Sequence, residues 1–400
     1  MLFNVDSCTG CGACVNVCPK DCIYLQYDKN GFLMPCKNDK ECIRCGKCDD
    51  ICPILHVADR DNYSEPICYA GWNKDEEVRQ YSTSGGIFSA LAEYVFSLGG
   101  IVCGVILDDD LRPHHTVAAC LDEINKMRGS KYLQSDTKFI FRRVKEALFL
   151  NKYVLFSGCP CQVAGLYAYL GNRHKEYDRL ITCEVICHGV PSTKIFSWYK
   201  TYLEKKAGSS ITNVNFRSKK YGWHTVAIDF HYLNNKNETI KASNSLFFRA
   251  FFSSLIVRES CTKCLYANLP RIADITIGDY WHAVVQNYSN NHRNKGISLI
   301  IVNNNKAMNV ISALQNNIVL ESITLQNATA DNTNIISLEA ANPRRNDFFR
   351  EFASSNINYL MKKYFRRRTF KDRISIILGK RLIYRTKIVL KDIKKYSRRL

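Results

Sequence analysis

From residue 67 onward the chain alternates short β-branched runs with longer stretches whose apolar residues recur at helical spacing. ICYAGW (67–72), IVCGVIL (101–107), YVLFSG (153–158) and LITCEVI (180–186) read as strands. IFSALAEYVFSLGG (87–100) carries Ile87, Leu91, Tyr94, Val95 and Leu98 on one helical face and stops at Gly99-Gly100. FIFRRVKEALFL (139–150), QVAGLYAYLG (162–171) and STKIFSWYKTYLEKK (192–206) read as further helices. A β-rich insert follows at 211–233, then an apolar helix over 245–257. A strand at 273–281 and a strand–helix unit at 297–314 close the body. Repeated β–α alternation with a β-rich insert predicts a mixed α/β body with α+β features.

Residues 1–58 show no such period; their cysteines are spaced by short turns rich in Gly, Asn, Asp and Lys. A polar stretch, Asp59 to Glu65, reads as a linker ending at Pro66. The expected units are 1–58, 66–150, 151–340 and a tail over 341–400. No GxGxxG follows a strand, and neither Walker A nor HExxH occurs, so the usual dinucleotide, P-loop and zincin chemistries are not indicated. The opening MLFNVDSCTGCGAC has neither basic n-region nor apolar h-region, and no run of about 18 apolar residues occurs. A cytoplasmic protein without signal peptide or transmembrane helix is therefore expected.

Charge changes the picture at one end only. Of a net +19 over 400 residues, 361–400 holds +14, from 16 Lys and Arg against Asp372 and Asp392. Bases there interleave with Ile374, Ile376, Ile377, Leu378, Leu382, Ile383, Ile388, Val389 and Leu390, as in a basic amphipathic helix. Such a tail suits an anionic membrane surface or an acidic partner, while a specific nucleic-acid role is not expected. A solvated extension without a defined partner is the plainer reading.

Nineteen cysteines in an unsecreted chain point to metal or redox chemistry rather than to disulfides. CTGCGACVNVCP (8–19) and CIRCGKCDDICP (42–53) are both C-x2-C-x2-C-x3-C-P. In that pattern three closely spaced thiolates wrap one iron–sulfur cube and the fourth reaches the other cube. Cys8, Cys11, Cys14 and Cys52 are then expected to hold one 4Fe–4S cluster, and Cys42, Cys45, Cys48 and Cys18 the second. Gly12 and Gly46 are expected to let backbone pass close to inorganic sulfur. Zinc would need four thiolates per site and would not explain the third CxxC step or the repeated Pro. Cys22 and Cys36 are left over as small apolar residues. The unit resembles bacterial-type ferredoxins, and works as a wire that passes single electrons.

In the body, Cys159 and Cys161 of SGCPCQVAGL follow a predicted strand, and Cys183 and Cys187 of CEVICHGVPS flank the end of another. Strand C-termini are where ligands collect in open α/β sheets. With the CxxC of Cys261 and Cys264 they could assemble a four-thiolate site for a third cluster. Cys183 also reads as a core thiol, Cys159–Cys161 as a redox dithiol, and Cys261 with Cys264 as half of a zinc site. Cys68, Cys103 and Cys120 read as core or strand thiols, and His188 as a hydrogen-bonding loop residue. STSGG (82–86) opening a helix could receive a phosphate, or could be ordinary capping.

STSGGIFSAL, GSKYLQS (129–135), SGCPCQVAGL, CHGVPS, FRSKKYGW (216–223) and CTKCLYANLPRIADITIGDYW (261–281) together resemble the coenzyme F420 hydrogenase/dehydrogenase beta-subunit family over roughly 66–300. That resemblance implies an oxidoreductase with a bound FAD and a further 4Fe–4S cluster beside it. It carries over Cys161, Cys187, Cys261 and Cys264 as ligands, with Cys159, which stands where the family has Thr, and Cys183 as alternatives. Flavin contacts carried over are Thr83, Ser84, Gly85, Gly86, Ser130, Lys131, Gly158 and Gln162; Asp274, Gly278 and Asp279 belong to the same motif set. The implied partners are an electron-carrier protein or a redox partner subunit. Lys131 would stabilise anionic reduced flavin or its phosphates, and Tyr221 and His224 are candidate proton donors. The substrate and the direction of electron flow do not follow from the sequence.

Overall fold

The computed structural model describes residues 7–57, 60–171, 176–284, 290–330, 332–337 and 340–365. Two compact units are resolved, Met1–Arg350 and Glu351–Leu400. Within the first, the described residues form three sheets: a hairpin, a three-stranded sheet and an eight-stranded sheet.

The hairpin pairs β1 (Ile23–Tyr27) with β2 (Leu33–Lys37) between the two cysteine repeats. The large sheet comprises β3 (Ile67–Asn73), β4 (Ile101–Leu107), β5 (Pro113–Ala118), β6 (Val154–Gly158) and β7 (Leu180–Val185). The insert supplies β8 (Ile211–Asn215), β9 (Ala227–Tyr232) and β10 (Asn237–Lys241) as the small antiparallel sheet. β11 (Ile275–Asp279), β12 (Ser298–Val302) and β13 (Ile318–Ile323) complete the large sheet, in the order β13-β3-β12-β11-β7-β6-β4-β5. β4, β6, β7 and β11 are parallel, and β12 turns the direction once so that β3 again runs with β11. The fold is thus a mixed α/β sheet with antiparallel margins, as the sequence pattern predicts. β5, β10 and β13 were not anticipated; with sequences such as PHHTVA and VLESI they lack the continuous apolar run of buried strands.

Helices cover both faces. On one, Ile87–Ser97, Leu121–Met127 and Asn305–Ala313 pack over Val102, Leu155, Ile181, Cys183, Ile275 and Ile300. On the other, Ile140–Phe149 and Pro160–Leu170 pack over Cys103, Val154, Phe156 and Leu180, and this second core also takes in Cys11 and Ala13. The alternation of side chains along each strand sorts Cys103 from Val102 and Cys183 from the face bearing Leu180. The apolar helix of 245–257 closes early, at Leu246–Phe252. Cys68 and Cys103 are buried as expected, whereas Cys120 is exposed at the N-terminal end of Leu121–Met127 and is no core thiol.

The stretch read as a linker is pinned rather than loose. Asn62 Nδ2 donates to the carbonyls of Arg271, Ile272 and Ala273, and the Tyr63 amide donates to Asn303. Residues 7–57 are likewise fastened to the body. The Leu33 amide donates to Gln134 Oε1 at 2.9 Å, Asn16 Nδ2 to the Lys138 carbonyl at 2.8 Å, and Thr137 Oγ1 to the Cys11 carbonyl at 3.2 Å.

In the second unit, Ile357–Tyr364 is helical, with Asn356 capping the Tyr359 amide and Lys362 and Lys363 in the last turn. The apolar positions of the basic tail from Ile374 to Leu390 lie outside the described residues. No described helix is long and apolar enough to cross a membrane.

Candidate functional site

Three sets of cysteines converge in the structure. Cys8, Cys11, Cys14 and Cys52 line one cavity together with Pro53, Ile54 and Leu55. Cys18, Cys42, Cys45 and Cys48 line a second, more exposed cavity with Lys20, Lys37, Arg44 and Lys47. Each cavity gathers the four cysteines that the C-x2-C-x2-C-x3-C-P rule groups together, though not those alone, since Cys48 lines the first cavity as well as the second. Cys22, expected as a leftover, lies in the second cavity with its sulfur 3.4 Å from Cys18 Sγ. Among the described residues no three or more of His, Cys, Asp and Glu converge closely enough for a single metal ion, so each set frames a space rather than a point.

Local geometry prepares the sulfurs to be ligands. The amides of Gly10, Arg44, Gly189 and Tyr266 donate to Cys8, Cys42, Cys187 and Cys264 Sγ at 3.3–3.4 Å, each from two residues downstream. Burial, with a smaller contribution from the neighbouring Cys8 and Cys52, pushes the Cys11 thiol up to about 12. Cys14 is likewise raised, by burial and by Cys11, Cys8 and Cys52. Mutually repelling, desolvated thiolates coexist only around compensating positive charge, the condition a bound cube of iron meets. Gly12 and Gly46 both adopt positive φ ahead of short helices. At Gly12 the close neighbour is Thr137, whose Oγ1 would lie 1.9 Å from an added Cβ, so this glycine serves docking onto the body.

The third set is built at the carboxyl edge of the large sheet. Gly158 of β6 pairs with Glu184 of β7, which brings Cys159 and Cys161 beside Cys187. Pro191 bridges to Val257, and the Arg258 amide donates to the Val190 carbonyl, which folds Cys261 and Cys264 onto the same place. Burial raises Cys161, and Cys264, Cys187 and Cys261 raise it further; Cys261 is raised to about 12 by burial and by Cys187. Cys159 belongs to this group too. The neighbouring Cys187 raises the Cys159 thiol, and Cys159 in turn lowers Cys187. Cys183 does not join them. It is fully buried and packs into the apolar core of the opposite sheet face.

Beneath this set lies a buried ion pair. Arg271 Nε meets Glu184 Oε1 at 2.5 Å with both side chains inaccessible, Thr276 Oγ1 donates to the same oxygen, and Arg271 Nη1 donates to the Tyr266 carbonyl. The Arg271 charge acts to lower Cys187 and Cys264. Tyr266 in turn ties the third set to the first: its hydroxyl donates to the Pro53 carbonyl at 2.9 Å, next to Cys52. None of these long-range pairs carries a local sequence signal.

The segments expected to contact flavin lie around the loop 128–136. Thr83 Oγ1 accepts the Ser130 amide at 2.7 Å and donates to its hydroxyl. Ser84 donates to Ile297, and a Cβ on Gly85 would meet the Gly71 carbonyl at 2.5 Å, so these two serve the packing of the turn, with Gly86 at φ +87° leading into the helix. Gly158 and Gln162 face His115: Gln162 Oε1 accepts the Cys159 amide, and its Nε2 donates to Ser135 Oγ. Lys131 Nζ caps the helix Leu121–Met127 through the carbonyls of Lys126, Met127 and Arg128, and burial lowers it to about 7. Asp274 accepts from Thr182 and pairs with Lys306, and Gly278 leaves room for Ile186. Asp279 binds Arg217 at 2.8 Å and Trp223 Nε1 at 2.9 Å. His188 bonds Asn334, while Tyr221 and His224 are exposed.

Residues 151–328 match the carboxy-terminal part, and residues 68–139 the amino-terminal part, of the family described as the coenzyme F420 hydrogenase/dehydrogenase beta subunit. Residues 1–24 match a 4Fe-4S binding domain. An uncharacterised protein of Methanocaldococcus jannaschii is 25% identical over 201 residues, 43% of this chain and 55% of its own length. The chain thus spans about half the length of that curated relative. A chain in the F420-reducing NiFe hydrogenase complex from Methanosarcina barkeri superposes with a TM-score of 0.47 and 17% identity, covering 75% of this chain and 97% of that one.

Proposed function

Because the chain belongs to the coenzyme F420 hydrogenase/dehydrogenase beta-subunit family and carries a 4Fe-4S binding domain, we propose that it is an iron–sulfur flavoprotein oxidoreductase. The observation that carries the reading is the convergence of three cysteine sets, joined through Tyr266 and the packing of Cys11 on the helix bearing Cys161. Two 4Fe–4S clusters belong to residues 1–58 and a third to Cys161, Cys187, Cys261 and Cys264. Bound clusters supply one-electron transfer, and a bound FAD supplies two-electron or hydride chemistry.

The exposure of the cysteine sets supports an order of transfer. The Cys18/Cys42/Cys45/Cys48 set is the outermost, with Cys45 exposed, and offers the port for an electron-carrier protein or a redox partner. The Cys8/Cys11/Cys14/Cys52 set is buried against the body and hands on to the set at the sheet edge. Arg271 holds positive charge beside Cys187 and Cys264, and the amide donors orient the sulfurs. Thr83, Ser130, Gly158 and Gln162 surround the loop against which FAD is proposed to lie. The substrate, reduced or oxidised, is a deazaflavin or another compound that exchanges electrons with the flavin.

Anaerobic purification with iron, sulfide and flavin quantified per chain tests this reading. About twelve iron and one FAD are expected from three cubes and one flavin site. About eight iron without flavin would reduce the protein to a non-catalytic electron-transfer subunit.

A further inference from the structure

Arg258 is 3% exposed, and no carboxylate among the described residues lies within ion-pair distance of it. Its neighbour Glu259 pairs instead with Lys263 at 3.6 Å on the surface. What Arg258 does touch lies between two cysteine sets. Nη1 donates to the Leu33 carbonyl at 2.9 Å, and Nη2 lies 2.8 Å from Met34 Sδ. A Cβ on Gly10 would stand 2.9 Å from Nη1, and the Gly10 amide is the one that donates to Cys8 Sγ. At its backbone, Arg258 opens the short 3-10 helix Glu259–Lys263: its amide donates to the Val190 carbonyl at 3.0 Å, and its carbonyl accepts the Cys261 amide at 3.1 Å. The side chain thus reaches from the turn that carries Cys261 to the turn that follows Cys8.

We propose that Arg258 is a counter-ion shared by two clusters, the one held by Cys8, Cys11, Cys14 and Cys52 and the one held by Cys161, Cys187, Cys261 and Cys264, and that its charge raises both reduction potentials. A guanidinium keeps its charge, and a charge taken out of water needs an opposite one nearby. A cube with four thiolate ligands is that opposite charge: it is anionic when oxidised and more so when reduced, so a fixed cation beside it favours the reduced state. Burial raises the Cys8 and Cys261 thiols, and the Arg258 charge acts against the rise at each. When one electron passes between the two cubes, the first is oxidised as the second is reduced and no proton is required. The moving negative charge stays beside the same guanidinium throughout. The inference rests on the three-cluster reading above.

The test compares the full chain with Arg258→Met and Arg258→Lys, purified anaerobically, by iron content and by potentiometric titration followed by electron paramagnetic resonance. The signals of the two centres are those absent from Cys11→Ala and from Cys264→Ala, and the outer Cys18/Cys42/Cys45/Cys48 centre is the internal control. At a fixed ambient potential the ratio of reduced to oxidised centre is expected to fall about tenfold at both in Arg258→Met, and to stay unchanged at the outer one. That is the order of one unit charge felt through an interior of effective dielectric constant about 20. Arg258→Lys, which keeps the charge, is expected to stay nearer wild type at both. An unmoved ratio at either centre, or an equal fall at all three, would overturn the inference. Iron loss confined to Arg258→Met would support it, since charge alone then separates the variants. Iron loss from both would make the residue a strut for Leu33 and overturn it. Wild-type protein with about eight iron would remove the sheet-edge centre and the functional reading with it, whereas about twelve iron with unmoved potentials would sink the counter-ion alone.

Discussion

Cys11 packs directly on Gly165: a β-carbon at residue 165 would stand 3.0 Å from Cys11 Cβ and 3.1 Å from its sulfur. Gly165 follows Cys161 by one turn on the same helix, so a cysteine of the buried ferredoxin-type set lies one helical turn from a cysteine of the sheet-edge set. This contact works beside the hydrogen bonds of Leu33 with Gln134, Asn16 with Lys138 and Tyr266 with Pro53 in fastening residues 7–57 to the body.

Filling that space should therefore break the junction. Gly165→Leu is expected to cost about 1–3 kcal/mol by overpacking and to displace Cys11. Iron analysis should show loss of about four iron per chain, with the sheet-edge signal retained. Gly165→Ala should act in the same direction with a smaller effect, since Cys11 need yield by only a few tenths of an ångström. Full iron and unchanged stability in Gly165→Leu would show that the contact is slack.

How much of this was legible in the sequence follows from the range of each interaction. The grouping of the eight repeat cysteines around two cavities was legible because the chain near each set is short and its spacing alone dictates the wrapping. The central strands were legible because strands buried on both faces are largely apolar runs, as in LITCEV of the parallel β7 and SLIIV of the antiparallel β12. The edge strands β5 and β13 were not, because polar residues interrupt them, His114, His115 and Thr116 in the one and Glu321 and Ser322 in the other. Nor were Gln134 on Leu33, Tyr266 on Pro53, or Arg271 on Glu184, pairs 101, 213 and 87 residues apart. In CEVIC, Cys183 reads as a core thiol or as an alternative ligand to Cys187; the sheet separates them, since only Cys183 packs into the apolar core.

That separation is testable. Cys183→Ala removes a small buried thiol from the core and should keep all bound iron, with a stability loss of about 1 kcal/mol. Cys264→Ala should remove about four iron. Equal iron loss in the two variants would contradict the placement of Cys183.

The Arg271–Glu184 pair gives a prediction about stability and the centre together. Arg271→Met leaves a buried carboxylate without its partner, and breaking such a pair costs about 3–5 kcal/mol. It also takes positive charge from beside Cys187 and Cys264, so the sheet-edge centre should become harder to reduce. The paired replacement Arg271→Met with Glu184→Leu should recover much of the stability but not the potential. Thermal unfolding and a redox titration of both variants distinguish the two effects.

His115 makes the protein acid-sensitive in a defined window. Its ring is buried, stacked on Phe156 at 5.5 Å, with Nε2 3.2 Å from the Ser157 carbonyl and Nδ1 3.3 Å from Ser135 Oγ. A carbonyl only accepts, so Nε2 carries the proton and Nδ1 accepts from Ser135, whose oxygen receives Gln162 Nε2. Protonating Nδ1 would turn Ser135 from donor to acceptor and place a charge in a site closed to water. Burial accordingly lowers the imidazole from its usual 6.5 to about 4. Between those values the unfolded chain binds a proton that the folded chain refuses, so stability falls as pH drops from 6.5 towards 4. The full effect is about 3 kcal/mol, at 1.36 kcal/mol per unit of displacement. Above pH 6.5 His115 contributes no slope. In denaturant unfolding at pH 5 and pH 7, His115→Gln should show a smaller loss on acidification than wild type. An equal loss in both would mean that the imidazole is already charged in the folded protein, and that Ser135 and Gln162 are oriented the other way round.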